Sequence, residues 1–196
     1  VTLREFETNP LIQNLGNGVL SKAASQIMGV TLRNIATVGG SVVSRFGFSD
    51  LLVALLCFDV TLHFYHHGDI SLENYLNDKT IKRDILTSLS ISKQSLRAYF
   101  KKVATTALDY AILAVGVCNQ NGRIRIFVGS RPQIATSAPI TLSNLPKAPW
   151  SDSQIDAIAK SVSKEIAFGD NFRASKEYRE QLCHVYVKRG LKEVLK

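Results

Sequence analysis

The sequence has 196 residues, 45% of them apolar and 20% charged, with a formal net charge of +8. That is globular composition, long enough for one large domain or two small ones and for a core that needs no disulfides. Three cysteines stand far apart with no C-x-x-C pair, which argues against cysteine-ligated zinc or iron–sulfur sites and suits a reducing, cytoplasmic setting.

No apolar run reaches membrane-spanning length, and Arg4, Glu5 and Glu7 interrupt the start, so neither a span nor a signal peptide is expected. The positive charge is scattered, apart from Lys101-Lys102 and a basic last helix. No basic strand is interleaved with aromatics, so nucleic acid is not an expected partner. An acidic protein surface or an anionic dinucleotide fits the charge better.

In chain order, residues 2–9 predict a short helix. Thr2 caps it, Glu5 completes a capping box, and Pro10 limits it. Residues 14–18, NLGNG, read as a turn. Residues 19–28 place Leu20, Ala23, Ala24, Ile27 and Met28 at helical spacing, and Gly29 stops them. Residues 32–56 organise the rest: a loop, a tight turn at Gly39-Gly40, a second loop, then a helix over 50–57. Ser49 or Asp50 caps that helix, and Leu51, Leu52, Leu55 and Leu56 form its buried face.

Residues 60–65 alternate as a half-buried strand, 66–69 turn, and 71–76 make a turn or two of helix. Strands are predicted over 84–92 and 96–103. Residues 110–118 suit the centre of a second sheet, with a helix start near Ala107 as the alternative. Asn121-Gly122 is a hairpin signal, so 123–128 pairs back on 111–118. Residues 136–150 read as a crossover or linker. Ser151 and Gln154 form a second capping box before a helix to about Ala167. A last helix covers 175–194, with Tyr178, Leu182, Val185, Tyr186, the stem of Arg189 and Leu191 on its apolar side. The fold class is α+β.

Gly39 and Gly40, lacking Cβ, let a ligand approach the backbone, and successive N–H groups there suit a diphosphate oxygen. Thr37 and Ser41 add hydroxyls; Arg33 and Arg45 add charge. A glycine pair alone is more often a structural turn than a phosphate site. Asp50 reads as a helix cap, as an acceptor for ribose or ribityl hydroxyls, or as both. His63, His66 and His67 have no acidic or cysteine ligand close in sequence, so no metal is expected. Lys101 and Lys102 fall on opposite faces of a strand. Asp109 reads as a cap. No Ser-His-Asp or Cys-His arrangement has a supporting signature.

The run Leu32-Arg33-Asn34-Ile35-Ala36-Thr37-Val38-Gly39-Gly40-Ser41, then Ser49-Asp50-Leu51-Leu52-Val53-Ala54-Leu55-Leu56-Cys57-Phe58-Asp59, resembles a known pattern. It is similar to I-R-N-x-A-T-I/V-G-G-N and S-D-L-x-P-x-L-L-A-L-D-A of the FAD-binding subunit or domain of the molybdenum hydroxylases. That group includes the medium subunit of carbon monoxide dehydrogenase and the flavin domain of xanthine dehydrogenase. Tyr99-Phe100-Lys101-Lys102-Val103 resembles the family's F-x-K-V strand, and Leu108-Asp109-Tyr110-Ala111 its D-I-A segment. Gly129 matches the glycine after its hairpin. Arg173-Ala174-Ser175, with Tyr178 and Arg179, resembles its closing R-A-S-x-x-Y-R helix.

The resemblance implies part of a PCMH-like FAD-binding domain over 1–92 and a small α/β domain with a short antiparallel sheet and helices over 93–196. It implies that Thr37, Val38, Gly39 and Gly40 touch the FAD diphosphate and adenosine side and that Asp50 holds FAD hydroxyls. Arg33, Asn34 and Ser41 complete the candidate cofactor set, with no catalytic acid or base and no metal. The implied partners are an iron–sulfur subunit and a molybdopterin-binding large subunit. Electrons would pass from 2Fe–2S clusters to FAD and on to NAD, oxygen or another acceptor.

The sequence departs from the pattern at Ser41, where Asn is usual, at Val53, where Pro is common, and at Thr106, near an expected Arg. The family's A-G-G-x-S/T-x-L loop is absent. Either upstream residues precede Val1 or this is a shortened member. The alternative function is a non-catalytic assembly or scaffold protein of the same fold that has lost FAD.

Overall fold

The computed structural model describes residues 1–78, 80–81 and 84–196. Helix α1 (Leu3–Thr8) forms as expected: the Glu5 N–H donates to Thr2 Oγ1, and Glu5 accepts from the Thr2 N–H at 2.7 Å. Pro10 does more than end it. With Asn9 as cap, Pro10 opens a second helix, α2 (Pro10–Asn14), where its missing N–H costs nothing. Residues 15–18 then turn through left-handed backbone at Gly16, Asn17 and Gly18. Helix α3 (Val19–Ser25) is shorter than expected, and Ile27 and Met28 lie beyond its end. Helices α4 (Val30–Arg33), α5 (Val38–Val43) and α6 (Asp50–Leu55) follow. Every residue of α6 is buried, so it is a core helix rather than an amphipathic one.

Strand β1 (Val60–Phe64) lies between β2 (Gly68–Ser71) and β3 (Leu86–Ile91) in an antiparallel sheet, with α7 (Leu72–Asn77) after β2. A second antiparallel sheet runs β4 (Arg97–Val103), β5 (Leu113–Gln120), β6 (Arg123–Gly129) and β7 (Thr136–Ser137). The β5–β6 hairpin turns at Asn121 (φ 51°) and Gly122 (φ 90°), the left-handed pair its sequence predicts. No helix starts at Ala107; residues 104–112 are loop and turn. Residues 136–150 hold more than a linker: β7, then α8 (Pro139–Ser143).

Helices α9 (Asp152–Glu165) and α10 (Lys176–Val194) cover one face of the second sheet. The expected capping box at Ser151 and Gln154 is present. The apolar side of α10 is rotated from expectation. Arg179, Cys183, Val187, Gly190, Leu191 and Val194 are buried, while Tyr178 is 50% and Val185 39% exposed. The cause is Arg179, which turns inward because it finds carbonyl acceptors there.

Strand β5 joins the two cores. Leu113, Val115 and Val117 face α9 and α10, while Ala114 and Cys118 belong to the core around α6. Burial on both faces explains its unbroken apolar run. Gly116 sits where α6 crosses: a Cβ there would lie 2.9 Å from both the Val53 carbonyl oxygen and Cys57 Sγ. The architecture is thus α+β, with helices and two short antiparallel sheets.

Candidate functional site

The expected tight turn at Gly39-Gly40 is instead the first turn of α5. Thr37 caps it, accepting from the Gly40 N–H at 3.0 Å, and neither glycine has positive φ. Burial of Val38 and Val42 and the Thr37 cap outweigh the weak helix propensity of two glycines. Ser41 turns its hydroxyl back, donating to the Thr37 carbonyl at 3.0 Å.

Ser49 caps α6, accepting from the Leu52 N–H at 3.3 Å, so Asp50 is the first residue inside the helix and is released from capping. The Asp50 side chain is 6% exposed. Its Oδ2 lies 3.0 Å from Lys102 Nζ, itself on a side chain 6% exposed. Lys102 also donates to the Gln26 carbonyl at 2.9 Å. Asp50 Oδ1 is buried with no hydrogen-bond partner. Burial pushes the Asp50 carboxyl up to about 6, against the pull of the Lys102 charge.

Asp50, Lys102, Thr37, Gly40 and Ser41 bound the polar side of a cavity of about 450 Å³. Met28, Phe46, Phe48 and Tyr110 give it apolar walls, and Ser44, Ser49 and Asp109 also line it. Phe46 stacks on Phe48 at 4.8 Å between centroids, and Phe48 meets Tyr110 at 4.5 Å. Asp109 caps no helix: it accepts from the Tyr110 N–H within the 104–112 loop and pairs with Arg173 at 3.0 Å. A second cavity, of about 610 Å³, lies between α1–α2 and β3, and Val38 and Gly39 face it. The two cavities share Thr37.

The fold therefore gathers Thr37, Gly40, Ser41 and Asp50 around the first cavity and sets Val38 and Gly39 on the second. Arg33 and Asn34 line neither. Arg33 is buried, with Nε 2.9 Å from Glu7 and Nη1 donating to the carbonyls of Ile27 and Met28. Asn34 ends α4. Arg45 reaches the Asp78 carbonyl and lies over the Tyr75 ring at 3.7 Å. Sequence reasoning missed Lys102 as the partner of Asp50. Strand alternation already required one of Lys101 and Lys102 to point inward, and only the fold tells which.

His63 has Nδ1 2.6 Å from Asp69 and Nε2 2.8 Å from Ser90 Oγ. The order is that of a catalytic triad, but the Asp69 side chain is 68% exposed and the three residues lie across adjacent strands. It is a polar ladder on a sheet face. Among the described residues, no group of three His, Cys, Asp or Glu could hold a metal. None of their helices is long and apolar enough to cross a membrane.

The donor set of the first cavity fits a ligand that carries hydroxyls and negative charge. Asp50 Oδ1 is a buried acceptor lacking a donor, and Lys102 is a buried cation beside it.

Residues 1–94 match the FAD binding domain in molybdopterin dehydrogenase, and residues 98–194 match the CO dehydrogenase flavoprotein C-terminal domain. The xanthine dehydrogenase FAD-binding subunit of Escherichia coli O157:H7 is 26% identical over 204 aligned positions, taking in 90% of this chain and 66% of that protein. A putative xanthine dehydrogenase FAD-binding subunit of Escherichia coli K12 is 25% identical over the same shares. The chain thus spans about two thirds of the length of these relatives, 66% of each. Carbon monoxide dehydrogenase from Hydrogenophaga pseudoflava superposes with a TM-score of 0.87 at 15% identity, covering 99% of this chain and 72% of that one. Quinoline 2-oxidoreductase from Pseudomonas putida 86 gives 0.86 at 18%, covering 100% and 72%. At such identities the likeness attests to the fold.

Proposed function

This chain belongs to the flavoprotein family of the molybdenum hydroxylases, and we propose that it is the FAD-binding electron-transfer component of such an oxidoreductase complex. One observation carries the reading: the unpartnered Oδ1 of Asp50, buried beside Lys102 at the wall of a cavity that Thr37, Gly40 and Ser41 also bound.

In this reading Thr37, Gly40 and Ser41 border the diphosphate, and Val38 and Gly39 face the adenosine side. Asp50 accepts a hydrogen bond from an FAD hydroxyl. Lys102 keeps Asp50 ionised and adds positive charge near the anionic ligand. Phe46, Phe48 and Tyr110 exclude water. Arg33 acts at one remove, fixing the backbone at Ile27 and Met28 against Glu7, and Asn34 closes the helix before the site. FAD, when bound, supplies a centre that accepts and passes on electrons; the protein's share is orientation and electrostatics.

The same proposal includes division into residues 1–92 and 93–196, an iron–sulfur subunit and a molybdopterin-binding large subunit as partners, NAD as one acceptor, and a cytoplasmic location. A second reading, a scaffold of the same fold without FAD, is favoured by Ser41, whose hydroxyl is spent on the Thr37 carbonyl. Titration of the full-length protein with FAD separates the two. The flavin reading predicts saturable uptake and a bound-flavin absorbance band; a protein that stays colourless supports the scaffold.

A further inference from the structure

The turn before α10 carries Phe172, 88% exposed, and Arg173, half-buried, and Arg173 lines neither of the two cavities. Asn171 closes this turn. Its Oδ1 accepts from the Arg173 N–H at 3.0 Å and from the Ala174 N–H at 3.3 Å, and its backbone bridges Ala174. Arg173 is thereby aimed at the loop over 104–112. Its Nη2 and Nε lie 3.0 and 3.3 Å from one oxygen, Asp109 Oδ1. Its guanidinium lies over two rings, 5.3 Å from the centre of Tyr110 and 4.4 Å from that of Phe172.

Asp109 and Tyr110 line the first cavity, and Tyr110 meets Phe48 on its wall. The segment that carries them has neither helix nor strand to hold it, and Leu108 and Tyr110 are exposed. Within it the Asp109 N–H donates to the Thr106 carbonyl and the Tyr110 N–H to Asp109 Oδ1. Arg179 grips the same loop at the Ile112 carbonyl, outside the cavity lining, whereas Arg173 grips the part that lines it. The Arg173 bond, and after it the Tyr110 N–H, hold the Asp109 carboxyl below the usual carboxylate range. The pair is therefore charged at neutral pH, and its hydrogen bonds are of the stronger, charge-assisted kind.

We infer that Arg173 is a positioning residue: gripping Asp109 and lying over Tyr110, it fixes the loop over 104–112 so that Tyr110 stays against Phe48 at the cavity wall. A guanidinium suits this place, because its fork meets the carboxylate while its flat face covers a ring. A lysine supplies the charge without the flat, forked group. Through Arg173 the approach to α10 reaches the candidate site without lining it. The hold on the loop needs no ligand. Its consequence for FAD, weaker binding when Tyr110 is loose, rests on the proposed function.

The test is amide hydrogen exchange of the full-length protein, wild type against Arg173→Met, read over 104–112. The bonded amides of Asp109 and Tyr110 should exchange about tenfold or more faster in the variant, with α9 and the β5–β6 hairpin unchanged. Arg173→Lys should fall between the two. Unchanged exchange over 104–112, or an equal rise in α9, overturns the inference. FAD titration adds a double-mutant cycle. Arg173→Met and Tyr110→Leu should each weaken FAD binding by about fivefold or more, and the double variant by no more than Tyr110→Leu alone, because Arg173 acts through Tyr110. Additive losses, or wild-type affinity in Arg173→Met, overturn it as well. A wild-type protein that takes up no FAD contradicts the proposed function instead, and the exchange rates still decide the role of Arg173.

Discussion

Two buried charges divide this molecule. Arg179, in the carboxy-terminal half, is fully enclosed, and its terminal nitrogens are met by the protein itself: the carbonyls of Ile112, Ser130 and Ala174 and the side chain of Asn171. Asp50, at the mouth of α6, is almost as buried, yet only one of its oxygens is met. The first charge has both terminal nitrogens met within the fold, with only its Nε unpartnered, and staples the loops after β4 and β6 to α10. The second is left with an open valence at the edge of a cavity. Among the described residues the buried side-chain atoms without a partner are Asp50 Oδ1, Arg125 Nε, Ser130 Oγ and Arg179 Nε, and of these only Asp50 Oδ1 belongs to a residue that lines the first cavity.

Arg179→Met should give the largest effect of the substitutions that test this contrast. It strips donors from buried carbonyls and should cost about 3 kcal/mol in urea unfolding. FAD affinity per folded molecule should not change, and a selective loss of FAD binding would erase the contrast. Lys102→Met comes next. It leaves Asp50 without its counter-charge, but Asp50 can take up a proton, so the stability loss should be about 1–2 kcal/mol, less than for a trapped ion. FAD binding should weaken by more than about tenfold, because the acceptor is then occupied by a proton.

The pH dependence sharpens the same point. Asp50 is pushed up to about 6 in the folded protein from an ordinary 3.8. The folded state therefore binds this proton more tightly than the unfolded chain. The stability it contributes is full below about pH 4 and is lost as pH rises through about 6. FAD affinity should run the other way, rising through the same window as the carboxylate becomes available. Urea midpoints and FAD titrations at about pH 5 and about pH 7, with Asp50→Asn as the reference lacking both slopes, would check the two signs. The smallest effects are at caps. Thr37→Ala and Ser175→Ala each remove an N-cap acceptor and should each cost about 1 kcal/mol. Thermal melts should show similar losses, while only Thr37→Ala should also weaken FAD binding.

Much of the fold was legible because its signals are local. The Thr2–Glu5 and Ser151–Gln154 boxes, the Asn121-Gly122 hairpin and the alternation of β1 and β6 depend on neighbours in sequence. The α10 face was misjudged because a buried arginine looks like a surface residue until its carbonyl partners, from loops far upstream, are in place. The glycine pair was read as a turn because propensity speaks for one; burial of Val38 and Val42 overrules it. At the site, the motif residues Thr37, Gly40, Ser41 and Asp50 were named from sequence and converge. Lys102 was not paired with Asp50 because that contact exists only once β4 lies beside the start of α6. Arg33 looked available for a ligand, and Glu7 and two carbonyls consume it.

The most direct test of the account is FAD titration of the full-length wild-type protein against Asp50→Asn, followed by flavin fluorescence at about pH 7. The substitution keeps the shape of the side chain and removes the charge that a hydroxyl donor would meet. The account predicts affinity weaker by about tenfold or more with the melting temperature shifted by only a few degrees. Equal FAD affinity in the two proteins would contradict it.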